Sequence, residues 1–294
     1  MSGIELLQAY IDSHDLDRST ISWLTLIVGR YARHRGGAID MEDFCATRVN
    51  RWISVMVEEA RLSRITIKSY RRGLLILWRW AFLEKHVTYA PLGVKPIKAA
   101  LPVPRGWNAP TVNLFIRHAR NVKGCYRCGI FRADYLDALA RTKWDSGLRL
   151  GDLMRLKLSD IDVDGRGAIV QKKTGNPITF RLRPSTLKAI AAIRPESRQR
   201  IFGGVVSRQK LFHLVRQVCK EAGLQGSLKS IRKGAASAVE RDYPGQAGKF
   251  LGHKTPGLAE KHYIDPSIVQ RESPTPPPLD DGDDRQAPPP KDAA

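Results

Sequence analysis

A chain of 294 residues, 42% of them apolar, can bury a sizeable core and is more comfortable as two domains than as one. Its formal charge of +20 points to a polyanionic partner, a nucleic acid before an anionic membrane surface. No apolar run approaches the length of a spanning helix and the N-terminus, MSGIELLQAYIDSHD, carries early acids, so a soluble, intracellular chain without membrane contact is expected.

In chain order, residues 1 to about 60 read as a small helical bundle. Apolar positions in Ile4 to Ile11, Ile21 to Tyr31 and Phe44 to Val57 recur every three or four residues, Asp17 and Ser19 offer caps, and Gly36 with Gly37 marks a break. The helix predicted from Ser63 to His86 has two faces. Ile67, Tyr70, Leu74, Leu77, Trp78 and Ala81 share one side, while Lys68, Arg71, Arg72 and Arg79 cluster opposite. A cationic face is often simply solvated, but in a chain of this charge phosphate contact is an equal candidate. Residues 89–106 then carry four prolines, no acids and the bases Lys95, Lys98 and Arg105. Prolines stiffen the chain and interrupt helix, so a basic connector between domains is expected.

Beyond it, Pro110 to Arg120 and Phe131 to Trp144 read as helices. Between them Cys125 and Cys128 have zinc-ligand spacing, yet a structural zinc takes about four ligands and no second pair follows. Reduced thiols on a surface turn, and no metal, are expected; with Cys45 and Cys219 the four cysteines make no disulfide scaffold. A helix starting near Leu150 places Arg149 in its first turn, where it has either a function or a salt bridge to Asp152. From Asp160 to Arg183 the period changes to alternation, predicting an antiparallel hairpin of Ala168 to Lys173 and Ile178 to Arg183, with Lys172 and Lys173 at its tip. Helices are predicted over Pro184 to Ile193, Ser207 to Ala222 and Leu228 to Arg241, the last with Lys229 and Arg232 one turn apart. His253 should close a short helix, Pro256 and Gly257 break the backbone, and Tyr263 should ride on the next. After Arg271 the chain is rich in proline and aspartate, with six acids against two bases, and is expected to be disordered.

The series Thr-Lys-Trp-Asp-Ser-Gly-Leu-Arg-Leu-Gly-Asp-Leu, a lysine on a β-hairpin, Leu-Lys-Ser-Ile-Arg, Leu-Gly-His and a tyrosine ten residues later resembles the tyrosine recombinases, also called phage integrases. The likeness covers about Gly106 to Ile268 and, more loosely, the helical N-terminal part. It implies a mainly α fold with a small antiparallel β-sheet. A helical, SAM-like core-DNA-binding domain would span residues 1–88, a linker 89–106, an α+β catalytic domain 107–270 and a tail 271–294, as in compact members without a separate arm-binding domain. It further implies Arg149 and Arg232 as phosphate-binding arginines, Lys173 as the hairpin lysine with Lys172 as competitor, His253 as the motif histidine and Tyr263 as nucleophile. Lys229 stands where the family usually has histidine; it can hydrogen-bond a phosphate oxygen but cannot relay a proton as neutral imidazole does.

The activity implied is site-specific breakage and rejoining of double-stranded DNA through a covalent 3′-phosphotyrosine. It would take place at paired inverted-repeat core sites, in a tetramer, with no cofactor, in the nucleoid of the cytoplasm. Lys68, Arg71, Arg72, Arg79 and Lys172 would contact DNA. Two alternatives remain open: a DNA-binding accessory protein of the same fold weakened by Lys229, and a relaxing topoisomerase with the same tyrosine chemistry.

Overall fold

The computed structural model describes residues 1–59, 61–193 and 198–269, so the acidic tail expected after Arg271 lies outside the described residues. The described chain is mainly helical with one two-stranded antiparallel sheet, and it divides into two compact units, Met1–Pro102 and Val103 onward.

The first unit packs four helices, α1 (Gly3–Asp12), α2 (Arg18–Arg35), α3 (Ala46–Glu58) and α4 (Arg64–Leu83), around one core. Their ends are written locally. Ser2 and Glu5 form a capping box on α1, the Asp17 carboxylate accepts from Ser19 N and Thr20 N, Gly36 closes α2 in the left-handed region, and Ser63 caps α4. Tyr31, Phe44, Trp52 and Trp78 stack edge-on or tilted at the centre. Burying each such ring contributes about 1.5–3 kcal/mol. One acid is buried among them: Asp43 accepts from Arg35 Nε at 2.7 Å and Arg48 Nη1 at 2.8 Å.

The proline-rich stretch is irregular, as expected, but its first half is strapped to this unit. Trp78 Nε1 donates to Tyr89 O, Arg71 Nη2 to Val94 O, and Asn50 bonds both Gly93 O and Lys95 N. Val87 and Val94 are buried in the first core, whereas Gly106 and Trp107 belong to the second unit. The units therefore part at Pro102 and Val103.

In the second unit, α5 (Ala109–Ala119) and α6 (Arg132–Ser146) are followed by the short α7 (Leu150–Leu153). A hairpin of β1 (Arg166–Val170) and β2 (Pro177–Arg181) comes next, then α8 (Pro184–Ala192), α9 (Arg208–Glu221) and α10 (Leu228–Asp242). Three short helices end the described chain: α11 (Ala247–Phe250), α12 (Leu258–His262) and α13 (Pro266–Val269). Between α5 and α6, Cys125 and Cys128 are exposed on a turn closed by Tyr126 N on Ile130 O.

The hairpin pairs Arg166 with Arg181 and Val170 with Pro177, so both strands lie earlier than the alternation predicts. Gln171, Lys172 and Lys173 are turn residues instead of strand residues. The cause is partly tertiary, as Asp152 Oδ1 accepts from Lys172 N at 3.0 Å, and partly local, as Gly175 N turns back onto Gln171 O.

The start of this unit lies across α10, where Gly234 is required. A Cβ there would fall 1.6 Å from the Trp107 carbonyl oxygen. Ala236 of α10, with Ala247, Leu251 and Ala259, forms a small core against which Phe250, Tyr263 and Ile264 sit.

Candidate active site

Three backbone turns bring one group of polar side chains together beside α10. Arg149 occupies the N-cap position of α7, directly after the left-handed turn at Gly147 that ends α6. A Cβ on Gly147 would lie 2.5 Å from the Phe250 ring, so the turn needs glycine both for its φ of 60° and for that contact. Arg232, one turn into α10, is only 2% exposed. It donates to the Gly147 carbonyl, and its Nη2 reaches Leu251 O at 3.3 Å. Tyr263 caps the C-terminal end of α12, two residues before the buried Asp265.

Asp265 fastens the tyrosine-bearing segment. Its carboxylate accepts from Gly106 N at 2.8 Å and from Ser267 N and Oγ, while its own amide donates to Ser237 Oγ of α10. Tyr263 is thereby set against Arg232 and His253. The Arg232 guanidinium carbon stands 5.0 Å from the centre of the Tyr263 ring, and the His253 and Tyr263 rings are 5.1 Å apart, tilted by 55°.

The charges in this group are poorly balanced. Arg149, Arg232 and the buried Lys143 face one acid, Asp152, which itself is 2% exposed. Burial alone would raise the Tyr263 phenol, but the charge and hydrogen-bonding reach of Arg232 and Arg149 outweigh it, and its pKa is lowered. Burial pushes Arg232 down to about 10 and, with the two arginines, His253 down to about 4. At neutral pH His253 is thus an uncharged imidazole, able to accept a proton. Both its ring nitrogens, Arg232 Nε and Asp152 Oδ2 are buried without a hydrogen-bond partner among the described residues. Such atoms are rare in protein interiors and costly. Donors and cations converging in one place suit an oxyanion with several acceptor oxygens.

Of the residues anticipated for this site, Arg149, Arg232, His253 and Tyr263 are brought together. The others are not drawn into that group. Lys229 is exposed on the first turn of α10, and Lys172 and Lys173 are exposed on the hairpin turn. Arg149 bonds Gln171 Oε1 at 2.6 Å, and Asp152 spends one oxygen on the hairpin amide. His253 lies two residues past Leu251, the C-cap of α11, and so outside the helix it was expected to close.

In the first unit, Lys68, Arg72 and Arg79 are exposed on α4. Arg71, also expected to contact DNA, is half-buried and its Nη2 donates to the Val94 carbonyl.

Two members of the group escape sequence reasoning. Gln171 is wholly buried and joins three pieces: its Oε1 accepts from Arg149 and from Thr174 Oγ1 at 2.9 Å, and its Nε2 donates to Leu251 O at 3.0 Å. Nothing in the local alternation marks it. Lys143 carries a signal, since it falls at the helical spacing Leu136, Leu139, Ala140, Lys143 on an otherwise apolar face.

The family model of the phage integrase family matches residues 135–268, which contain all of these groups. Among curated proteins no sequence matches significantly. Solved structures share the fold at low identity. A lambda integrase (75–356) dimer bound to a COC′ core site is 20% identical, covers 94% of this chain and 99% of that one, and has a TM-score of 0.72. A lambda integrase tetramer bound to a Holliday junction is also 20% identical, over 94% and 80%, with a TM-score of 0.71. The Tn1549 transposon integrase in complex with circular intermediate DNA is 13% identical, over 89% and 95%, with a TM-score of 0.66.

Proposed function

From a chain whose residues 135–268 belong to the phage integrase family, the tyrosine recombinases, we propose a site-specific DNA recombinase that cuts and rejoins strands through a 3′-phosphotyrosine. The observation that carries this reading is the placement of the Tyr263 phenol, its pKa lowered, beneath the Arg232 guanidinium in a cluster where cations outnumber acids. Phosphoryl transfer is catalysed chiefly by positioning and by charge stabilisation, which is what such a cluster supplies.

In the proposed step the Tyr263 oxygen attacks the phosphorus of a DNA phosphodiester while the bond from phosphorus to the 5′ oxygen breaks. Arg149 and Arg232 grip the nonbridging oxygens, as fixed planar guanidinium groups can. The phenolic proton leaves toward neutral His253, whose ring centre is 5.1 Å from that of Tyr263, as the two arginines stabilise the phenolate. Lys173, assigned by resemblance and exposed on the hairpin turn, gives a proton to the departing 5′ oxygen. Lys229 contacts a phosphate oxygen in place of the usual histidine. The number of phosphodiester bonds is conserved, and attack by a 5′ hydroxyl on the phosphotyrosine reverses each transfer. No nucleotide or metal is needed for that balance.

The substrate is double-stranded DNA carrying paired inverted-repeat cores, bound in the nucleoid and clamped by both units of the chain. Lys68, Arg72 and Arg79 of the first unit and Lys172 of the second contact phosphates. Lambda integrase has been solved as a dimer on a core site and as a tetramer on a Holliday junction, which supports assembly of this chain as a tetramer on two sites.

The test is covalent trapping. Incubated with a pool of nicked duplexes of randomised sequence, the wild type should yield a protein–DNA adduct on a denaturing gel, and Tyr263→Phe should yield none while still retaining duplex on a filter. An adduct in the variant would remove Tyr263 from the mechanism.

A further inference from the structure

Lys143 takes no part in the chemistry just described, yet it lies within the same group of side chains. It stands on the inward side of α6 and is among the largest fully buried side chains of the molecule. Lysine is an expensive choice there, because its ammonium is strongly hydrated and must give up that water. The charged groups acting on it come from α10, as Arg232, and from the two sides of the α7 start, as Arg149 and Asp152. Burial first, then the Arg232 charge, push its amine down to about 7, with Arg149 acting the same way and Asp152 against. An apolar side chain would fill the same space without these costs. Packing alone does not account for a lysine.

What the amine does is visible in its hydrogen bond. Lys143 Nζ donates to the Leu148 carbonyl at 2.9 Å. That carbonyl belongs to the peptide leading into Arg149. The carbonyl before it, on Gly147, accepts from Arg232. The two successive carbonyls of Gly147 and Leu148 are thus gripped by basic side chains, one from α10 and one from α6. Leu148 N adds a contact of 3.3 Å to Ser146 Oγ. At its outer end the Arg149 guanidinium is held by Gln171. The root and the tip of Arg149 are fixed by different residues.

We propose that Lys143 is a positioning residue: by holding the Leu148 carbonyl it fixes the peptide plane from which Arg149 reaches the reacting phosphate. This rests on the strand-transfer reading, which supplies the phosphate. Released from Lys143, the 148–149 peptide can rotate, and a shift of about 1 Å at a phosphate-gripping group can cost on the order of 100-fold in rate.

The experiment compares full-length wild type, Lys143→Met and Lys143→Gln, using the pool of nicked duplexes of randomised sequence as probe. Three quantities are read: the rate of covalent adduct formation, retention of duplex on a filter, and Tm. Lys143→Met should form adduct about 10- to 100-fold more slowly with duplex retention within about twofold. Its Tm should be unchanged or higher, because an apolar side chain replaces a buried amine. Lys143→Gln, whose amide can donate to the same carbonyl, should recover part of the rate. An unchanged rate in Lys143→Met overturns the proposal. So does equal slowness of Met and Gln, or a fall in Tm that accompanies the slowing in both. Adduct formation by Tyr263→Phe would overturn the strand-transfer reading instead, and the positioning role with it.

Discussion

Two buried charge groups, one in each unit, are treated in opposite ways. In the first, Asp43, the one buried acid among the described residues of that unit, is answered by Arg35 and Arg48 and by the amide of Asp40, which precedes the 3-10 turn Met41–Asp43. In the second, Arg232 and Lys143 are buried with Arg149 beside them, Asp152 is the acid among them, and four polar atoms of this one group, both His253 ring nitrogens, Arg232 Nε and Asp152 Oδ2, have no hydrogen-bond partner among the described residues. A charge that is fully answered within the protein is stabilising or neutral and asks for nothing further. A charge surplus kept out of water is tolerated only where something else pays its cost, which in the proposed strand-transfer reading is the DNA phosphate. Balance marks structure and imbalance marks function.

Substituting the surplus is the severest test of that contrast. Arg232→Gln should slow adduct formation by about 100- to 1,000-fold, the loss typical of a donor aimed at developing charge. Its Tm should move less than that of an Asp43 variant, since relief of buried positive charge offsets the two lost carbonyl bonds. A large fall in Tm with only a proportionate loss of rate would mean that Arg232 is a structural residue after all.

The converse change is Asp43→Asn, which should lower the stability of the first unit by about 2 kcal/mol and leave the adduct rate of folded protein unaltered. Acid should act the same way. Burial would raise the Asp43 carboxyl, but the Asp40 amide, Arg35 and Arg48 hold it below the usual range. With the folded value depressed, its stabilisation is complete above the ordinary carboxylate pKa and is lost as pH falls through the folded one. Urea melts from pH 6 to 3 should therefore show a steeper acid limb in wild type than in Asp43→Asn; parallel limbs would count against it.

The smallest effects belong to the solvated cations of α4. Lys68→Gln and Arg72→Gln should each weaken duplex binding uniformly across sequences and reduce the slope of log K against log salt by about 1. Unaltered slopes would leave that face merely solvated. Arg71→Gln should instead lower Tm, because it loosens the strap at Val94.

What could be read directly from the residues was whatever depends on neighbours along the chain. Helices form from bonds four residues apart and end at caps such as Asp17, Gly36 and Ser63, so α1 to α4 and α10 fall within a few residues of their predicted spans. The set Arg149, Arg232, His253 and Tyr263 was legible only through the resemblance of the motifs around them to the tyrosine recombinases. Tertiary structure decided the rest. Gln171 meets Leu251 across 80 residues and Arg232 meets Gly147 across 85, and no local window contains either bond. Asp152 drew Lys172 out of the strand its alternation predicts, and the Val94 carbonyl took one end of the Arg71 guanidinium. Hydrophobic period specifies which side of an element is inward. It does not say which carbonyl waits there for a lysine, since that depends on how separate turns converge once the core has closed.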